Sequence, residues 1–87
     1  MKIYLSKQFI SKYKKLTKKN PHLIRITENK LSLFKQNPKH PSLRQHILKG
    51  KLKKYWSISI EPNIRIVFVY IDKNILLFDI GKHEEVY

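Results

Sequence analysis

The sequence predicts an α+β domain in which two N-terminal helices pack on a small antiparallel sheet. Two observations carry this prediction. The part of the chain before residue 37 has apolar residues at helical spacing, whereas residues 54–80 form three β-branched or aromatic runs separated by two short polar breaks. The 87 residues are enough for one such domain, spanning 1–87, and too few for a second core.

The N-terminal part is predicted to form a short strand, Lys2 to Leu5, followed by a basic amphipathic helix that Ser6 can cap. The apolar stripe of this helix consists of Phe9, Ile10, Tyr13 and Leu16. Its lysine-rich polar side can contact phosphates or simply be solvated. Asn20 and Pro21 are predicted to end this helix and to cap and begin a second, which runs to about Gln36.

The segment between the second helix and the first β-rich run begins with a proline-containing loop, residues 37–41. We then expect a short lead-in strand that bends at Gly50. Three lysines of this segment, here called the lysine row, alternate with other residues and would share one side; they are Lys49, Lys51 and Lys53. The row is either a phosphate-binding surface or a solvated one.

The three β-rich runs predict an antiparallel meander with one apolar face. A turn at residues 61–63 would join the first two runs, and a turn at 72–74 would add the third. The predicted facing pairs are Trp56 with Phe68, Ile58 with Ile66, and Ile60 with Ile64. The predicted core residues of the third run are Leu76, Phe78 and Ile80. Arg65 then lies on the opposite face beside Ser59, and Leu77 and Asp79 share that side.

The charge is strongly basic, with a formal net charge of +13. Residues 1–54 carry 16 lysines and arginines and a single acidic residue, Glu28, so the basic surface belongs to the helices and the lead-in segment. This predicts a polyanionic partner, either nucleic acid or an acidic protein, rather than a membrane. The chain contains no cysteine and no apolar run of signal-peptide or membrane-spanning length, which favours a cytoplasmic protein.

Few residues remain that could carry chemistry. The sequence has no phosphate-cradling glycine loop, no nucleophile elbow, no paired carboxylates and no histidine spacing typical of a metal site. The candidates are His46, Arg65, His83 and Tyr87. Such groups can cleave RNA without a metal or cofactor, because a base, an acid and a cation suffice for attack by the 2′-hydroxyl. Three of them also have a structural interpretation: His46 as a surface histidine, Arg65 as an ion pair with Asp79, and Tyr87 as a packing aromatic.

Two stretches resemble a known superfamily. The pattern H-I-L-K-G-K-L-K-K-Y-W-S-I-S-I-E-P-N-I-R-I-V-F, followed by L-L-F-D-I-G-K-H-E-E-V-Y, is similar to the RelE/ParE toxins of type II toxin–antitoxin systems, closest to the YafQ and YoeB branches. The resemblance implies a RelE-like fold and a metal-independent endoribonuclease that cuts mRNA on the ribosome. It also implies a cognate antitoxin, for which the charge of this chain predicts an acidic binding segment.

The resemblance assigns roles to individual residues. His83 matches the C-terminal catalytic histidine of the superfamily, and Tyr87 matches the aromatic residue that follows it in the YafQ branch. Arg65 matches the phosphate-binding arginine of the YoeB branch, and His46 matches a YafQ-branch histidine where YoeB-type toxins have a general base. The lysine row and Lys54 fall in the segment that these toxins use to hold RNA.

The chain departs from the YafQ pattern at three positions. Asp79 stands where that branch has an arginine, while Ser59 and Asn63 replace a histidine and an aspartate. Because a fold does not fix its function, two alternatives remain: a ParE-like inhibitor of DNA gyrase, and a catalytically inactive protein that binds antitoxin or RNA.

Overall fold

The computed structural model describes residues 1–48 and 54–82. The described elements are β1 (Ile3–Leu5), α1 (Lys7–Lys19), α2 (Leu23–Gln36), a 3-10 turn (Pro41–Leu43), β2 (His46–Ile47), β3 (Trp56–Glu61), β4 (Ile64–Ile71) and β5 (Asn74–Lys82). They form a sheet in the order β1-β5-β4-β3-β2, with both helices packed on it. The predicted α+β class is confirmed. The sheet is mixed because β1 pairs parallel with β5, while the other neighbours are antiparallel.

The start of α1 is fixed to the sheet by Ser6. As predicted, the Ser6 hydroxyl caps the helix, since its Oγ accepts a hydrogen bond from the Phe9 N–H at 3.0 Å. The same hydroxyl donates to the Phe78 carbonyl at 2.8 Å, and the Ser6 N–H donates to the Leu77 carbonyl at 3.0 Å. These bonds hold the first turn of α1 against β5.

The start of α2 differs from the prediction. Asn20 only terminates α1, where its N–H donates to the Leu16 carbonyl at 3.0 Å. Pro21 and His22 then form a turn, and α2 begins at Leu23. The predicted cap at Asn20 with Pro21 as first helical residue is therefore wrong. The predicted end at Gln36 is confirmed.

The core lies between the helices and one face of the sheet. The helices contribute Phe9, Leu23 and Phe34, and the 3-10 turn contributes Leu43. The sheet contributes Ile58, Ile60, Ile66, Phe68, Ile75, Leu77 and Ile80. Phe34 and Phe68 meet edge to face, with ring centroids 5.1 Å apart.

The pairing of β3 with β4 follows the prediction up to the turn. The confirmed pairs are Trp56 with Phe68, Ile58 with Ile66, and Ser59 with Arg65. The predicted pair of Ile60 with Ile64 is wrong, because a bulge between Ser59 and Glu61 places Glu61 opposite Ile64. The turn then contains two residues, 62 and 63, instead of three.

A second bulge corrects the predicted core of β5. Val67 pairs with Asp79 and Phe68 pairs with Leu77, so Phe78 has no counterpart in the register. The inward-facing residues are consequently Ile75 and Leu77 before the bulge and Ile80 after it, and only Ile80 was predicted. Leu76 stays outside this core. Phe78 stacks instead on Tyr55 in a small cluster with Leu48 and Val67.

Candidate functional site

Arg65 lies near the start of β4 on the sheet face that also carries Ser57 and Ser59, here called the Arg65 face. Arg65 is only 7% exposed. Nε and Nη2 donate to the Ser57 Oγ at 3.2 and 3.1 Å, and Nη2 also donates to the Arg44 carbonyl at 3.0 Å. A buried cation is tolerated when its N–H groups have acceptors, so these bonds fix the guanidinium in one orientation.

His46 lies beside this guanidinium because β2 pairs with β3, which places His46 opposite Ser57. The exposed His46 imidazole has its Nδ1 3.2 Å from Arg65 Nη2 and 3.2 Å from the Arg44 carbonyl oxygen. Arginine only donates and a carbonyl only accepts, so the first contact requires an Nδ1 lone pair and the second requires an Nδ1–H. The position of one proton on His46 therefore decides which contact is a hydrogen bond.

Arg44 shapes the site through its backbone. Its φ of 47° and ψ of 45° lie in the left-handed region, which for a residue with a Cβ costs about 1–2 kcal/mol. This conformation turns the chain from the 3-10 turn into β2 and aims the Arg44 carbonyl at Arg65. Strain of this kind is kept where the surrounding structure holds it, which makes the Arg44 turn a candidate functional feature.

The structural interpretation of Arg65 paired it with Asp79, but Asp79 has a different partner. The Asp79 carboxylate lies 2.7 Å from Lys12 Nζ of α1 and accepts the Ile80 N–H at 2.9 Å. Asp79 thus joins β5 to α1, while Arg65 donates hydrogen bonds to Ser57 and the Arg44 carbonyl and contacts His46.

The other predicted site residues fall into two groups. Lys54 is exposed, and its Nζ lies 5.4 Å from the centroid of the Tyr55 ring, a cation–π contact. His83, Tyr87 and the lysine row lie outside the described residues, as does the predicted bend at Gly50. Within the described ranges, the structure therefore brings together His46 and Arg65.

Two participants in this site were not predicted. Strand alternation places Ser57 on the Arg65 face. Only the structure shows that Ser57 lies opposite His46 of β2 and that its hydroxyl accepts a hydrogen bond from Arg65. The sequence could not indicate Arg44, because it contributes a backbone carbonyl oxygen, which every residue type has.

The residues covered by the structure contain neither a metal-binding cluster nor a membrane-spanning helix. Across residues 1–48 and 54–82, no cluster of three or more histidine, cysteine, aspartate or glutamate side chains could hold a metal ion. Neither α1 nor α2, the described helices, combines the length and the apolarity that crossing a membrane requires.

The model of the YafQ family, bacterial toxins of type II toxin–antitoxin systems, matches residues 1–87. The chain belongs to the YafQ toxin family. The resemblance identified from the sequence is thereby confirmed, and the protein is a type II toxin.

Solved structures agree with this assignment. A copper-bound point mutant of a Helicobacter pylori toxin is 29% identical, with 100% of this chain and 99% of that chain covered and a TM-score of 0.80. Escherichia coli YafQ is 24% identical over 98% of this chain and 96% of its own, also with a TM-score of 0.80.

A YoeB/ParE toxin from Agrobacterium tumefaciens has the same fold at 18% identity, with 95% and 99% of the two chains covered and a TM-score of 0.80. A comparison with curated proteins gave no match.

Proposed function

We propose that this YafQ-family toxin is a ribosome-dependent endoribonuclease that cuts mRNA through attack of a 2′-oxygen on the adjacent phosphate. The observation that carries the proposal is the buried guanidinium of Arg65. Ser57 and the Arg44 carbonyl hold it in place, and its Nη2 lies 3.2 Å from the Nδ1 of His46. A fixed cation beside a solvent-accessible base is what this reaction needs at its central phosphate.

The division of labour follows from the chemistry of the groups. His46 takes the proton of the 2′-hydroxyl, which requires a nitrogen lone pair on its ring. Arg65 stabilises the negative charge that develops on the phosphorane. His83 donates a proton to the leaving 5′-oxygen, and Tyr87 packs against or orients the nucleotide. Side chains perform both proton transfers and stabilise the developing charge, so cleavage does not require a metal.

The remaining basic groups hold RNA. The lysine row and Lys54 bind phosphates of the mRNA, and the lysines of α1 contact ribosomal RNA. Each acts as a point charge and needs no special orientation for that role. The ribosome dependence rests on the resemblance to RelE/ParE toxins.

The same charge distribution supports an antitoxin partner with an acidic binding segment. Escherichia coli YafQ has been solved in complex with DinJ, and that toxin is 24% identical to this chain with a TM-score of 0.79. Residues 1–54, with 16 basic residues and one acidic residue, would attract such a segment. Co-purification with the product of an adjacent reading frame tests this, and a strongly basic binding segment would contradict the charge argument.

Induction of the toxin in growing cells, followed by mapping of RNA ends, tests the proposed activity. We expect cut mRNA whose 5′ fragments end in a 2′,3′-cyclic phosphate or 3′-phosphate. Cleavage in vitro should persist in chelator, provided that the magnesium needed for ribosome integrity is controlled. A 3′-hydroxyl product would reject attack by the 2′-oxygen. DNA damage without cut mRNA would identify a gyrase inhibitor, and neither effect would identify an inactive binder.

The variant His83→Gln tests the acid, with Lys82→Gln as a neighbouring control at the exposed end of β5. We expect His83→Gln to slow cleavage by about 10² to 10⁴-fold, the usual range for a positioned acid or base. Lys82→Gln should cleave like the unmodified toxin. Equal rates in the two variants would remove His83 from the mechanism.

A further inference from the structure

A concave surface lies on the other side of the β2–β3 edge from the Arg65 face. It is a groove of 430 Å³, within the range of small-molecule sites, about 300–1,000 Å³. Its lining residues are Lys39, His40, Pro41, Arg44, Gln45 and Trp56. Trp56 and Ser57 are consecutive in β3, so their side chains point to opposite faces of the sheet.

Trp56 forms the aromatic part of this groove. It is half-buried and packs against the core, while part of its indole borders the groove. Tyr70 stands nearly perpendicular to it, with ring centroids 5.8 Å apart, and the Tyr70 hydroxyl accepts from Gln45 Nε2 at 2.9 Å. These neighbours fix the indole in place. A fixed, partly exposed aromatic ring is the kind of platform on which unpaired nucleobases stack.

The polar groups of the groove suit a nucleotide. Lys39 and Arg44 are exposed cations, and no acidic side chain is among the described residues that line the groove. The His40 Nδ1 accepts the Ser42 N–H at 3.1 Å, so a neutral His40 carries its proton on Nε2 and offers a donor.

The groove is connected to the Arg65 face through one residue. The Arg44 carbonyl accepts from Arg65 Nη2 at 3.0 Å, while the Arg44 side chain lines the groove. A strand of RNA that crosses the β2 edge would therefore meet Arg65 and His46 on one side and the groove on the other.

We propose that this groove binds a nucleotide of the single-stranded RNA substrate next to the cleaved phosphate. Its base stacks on Trp56, and its phosphate is held by Lys39 and Arg44. This inference rests on the proposed function and extends the substrate site beyond Arg65 and His46.

Trp56 also makes the proposal testable, because it is the only tryptophan in the chain. The unmodified toxin is titrated with a short 2′-O-methyl oligoribonucleotide, which lacks the attacking hydroxyl and cannot be cut by the proposed reaction. We expect the tryptophan fluorescence to be quenched on binding. In Trp56→Ala, measured by anisotropy of a labelled oligonucleotide, Kd should rise about 5- to 150-fold, the effect of losing one base stack.

Two exposed residues give a test that does not depend on changing a packed aromatic. Lys39→Ala and Arg44→Asn should each weaken binding and lower the salt slope of log Kd by about 0.7, the value for one phosphate contact to single-stranded nucleic acid. Asparagine is chosen at position 44 because it tolerates the left-handed backbone there. Lys73→Ala, an exposed lysine in the β4–β5 turn, is the matched control and should bind like the unmodified toxin.

The outcomes separate this proposal from the proposed nuclease. Unquenched fluorescence with unchanged Kd in Lys39→Ala and Arg44→Asn would overturn the groove, even if the toxin cuts mRNA. Fluorescence quenching on RNA binding, together with weaker binding in Lys39→Ala and Arg44→Asn, would support the groove. It would do so even if no mRNA were cut and the nuclease were thereby rejected. Quenching by an acidic antitoxin peptide but not by RNA would also overturn it.

Discussion

Replacing Arg65 with lysine tests whether cleavage depends on the fixed guanidinium or on positive charge alone. The guanidinium donates from Nε and Nη2 to Ser57 and from Nη2 to the Arg44 carbonyl, which orients it beside His46. A lysine keeps the charge, but its ammonium is a flexible point charge without the planar fork. Arg65→Lys should therefore preserve attraction to RNA and lose the orientation.

Two magnitudes follow from these contacts. Loss of a preorganised donor to a developing oxyanion slows a reaction by about 10² to 10³-fold, or about 2.7–4 kcal/mol. We expect a reduction of this size in the rate of mRNA cleavage. The folded state should also suffer, because the Ser57 Oγ and the Arg44 carbonyl cannot both keep the donors they have now. A buried acceptor without a donor costs about 1–3 kcal/mol, and each kcal/mol lowers Tm by about 4–8 °C in a domain of this size.

The assay is single-turnover cleavage of ribosome-bound mRNA, run well below the Tm of Arg65→Lys, together with thermal denaturation and RNA-binding measurements. Ser57→Ala is the companion variant. It removes one acceptor but leaves the guanidinium bonded to the Arg44 carbonyl, so we expect a smaller loss of rate. A cleavage rate in Arg65→Lys equal to that of the unmodified toxin would refute the role of the fork. A loss of RNA affinity as large as the loss of rate would place Arg65 in binding instead of catalysis.

The fold was predictable where local patterns decide it. Helical spacing and the Ser6 cap located α1, and strand alternation gave the pairs Trp56 with Phe68 and Ile58 with Ile66. In the sheet, the failures are the two bulges. A bulge inserts one residue into a strand and reverses the alternation after it. A prediction that assumes strict alternation therefore assigns the residues on one side of the bulge to the wrong face of the sheet. This is why Ile75 and Leu77 were missed as core residues and Phe78 was wrongly included.

The candidate site was predictable only in part, for a related reason. Alternation placed Arg65 on the face away from the core, and the resemblance selected His46. Their meeting depends on the left-handed turn at Arg44, whose carbonyl reaches an arginine 21 residues further along the chain. Arginine has no preference for that conformation, so nothing local in the sequence marks the turn. The contact results from how β2 is held at the sheet edge.

Three further changes probe other parts of the molecule. His46→Gln should slow cleavage by about 10² to 10⁴-fold because the general base is lost, with little change in Tm because His46 is exposed; an unchanged rate would exclude it as the base. Asp79→Asn should lower stability by about 1–3 kcal/mol, since it removes the charge facing Lys12 at 2.7 Å in a largely buried position. Thermal denaturation measures this against Asp72→Asn, an exposed turn position with φ of 54° that asparagine tolerates, and equal Tm values would contradict the role given to the pair. Replacing the lysine row with alanine should weaken RNA binding, because each ammonium that contacts a phosphate releases a counterion. Three such contacts to single-stranded RNA correspond to a decrease of about 2 in the salt slope of log Kd. The slope is obtained by titrating labelled RNA at several salt concentrations, and an unchanged slope would return the lysine row to solvated surface.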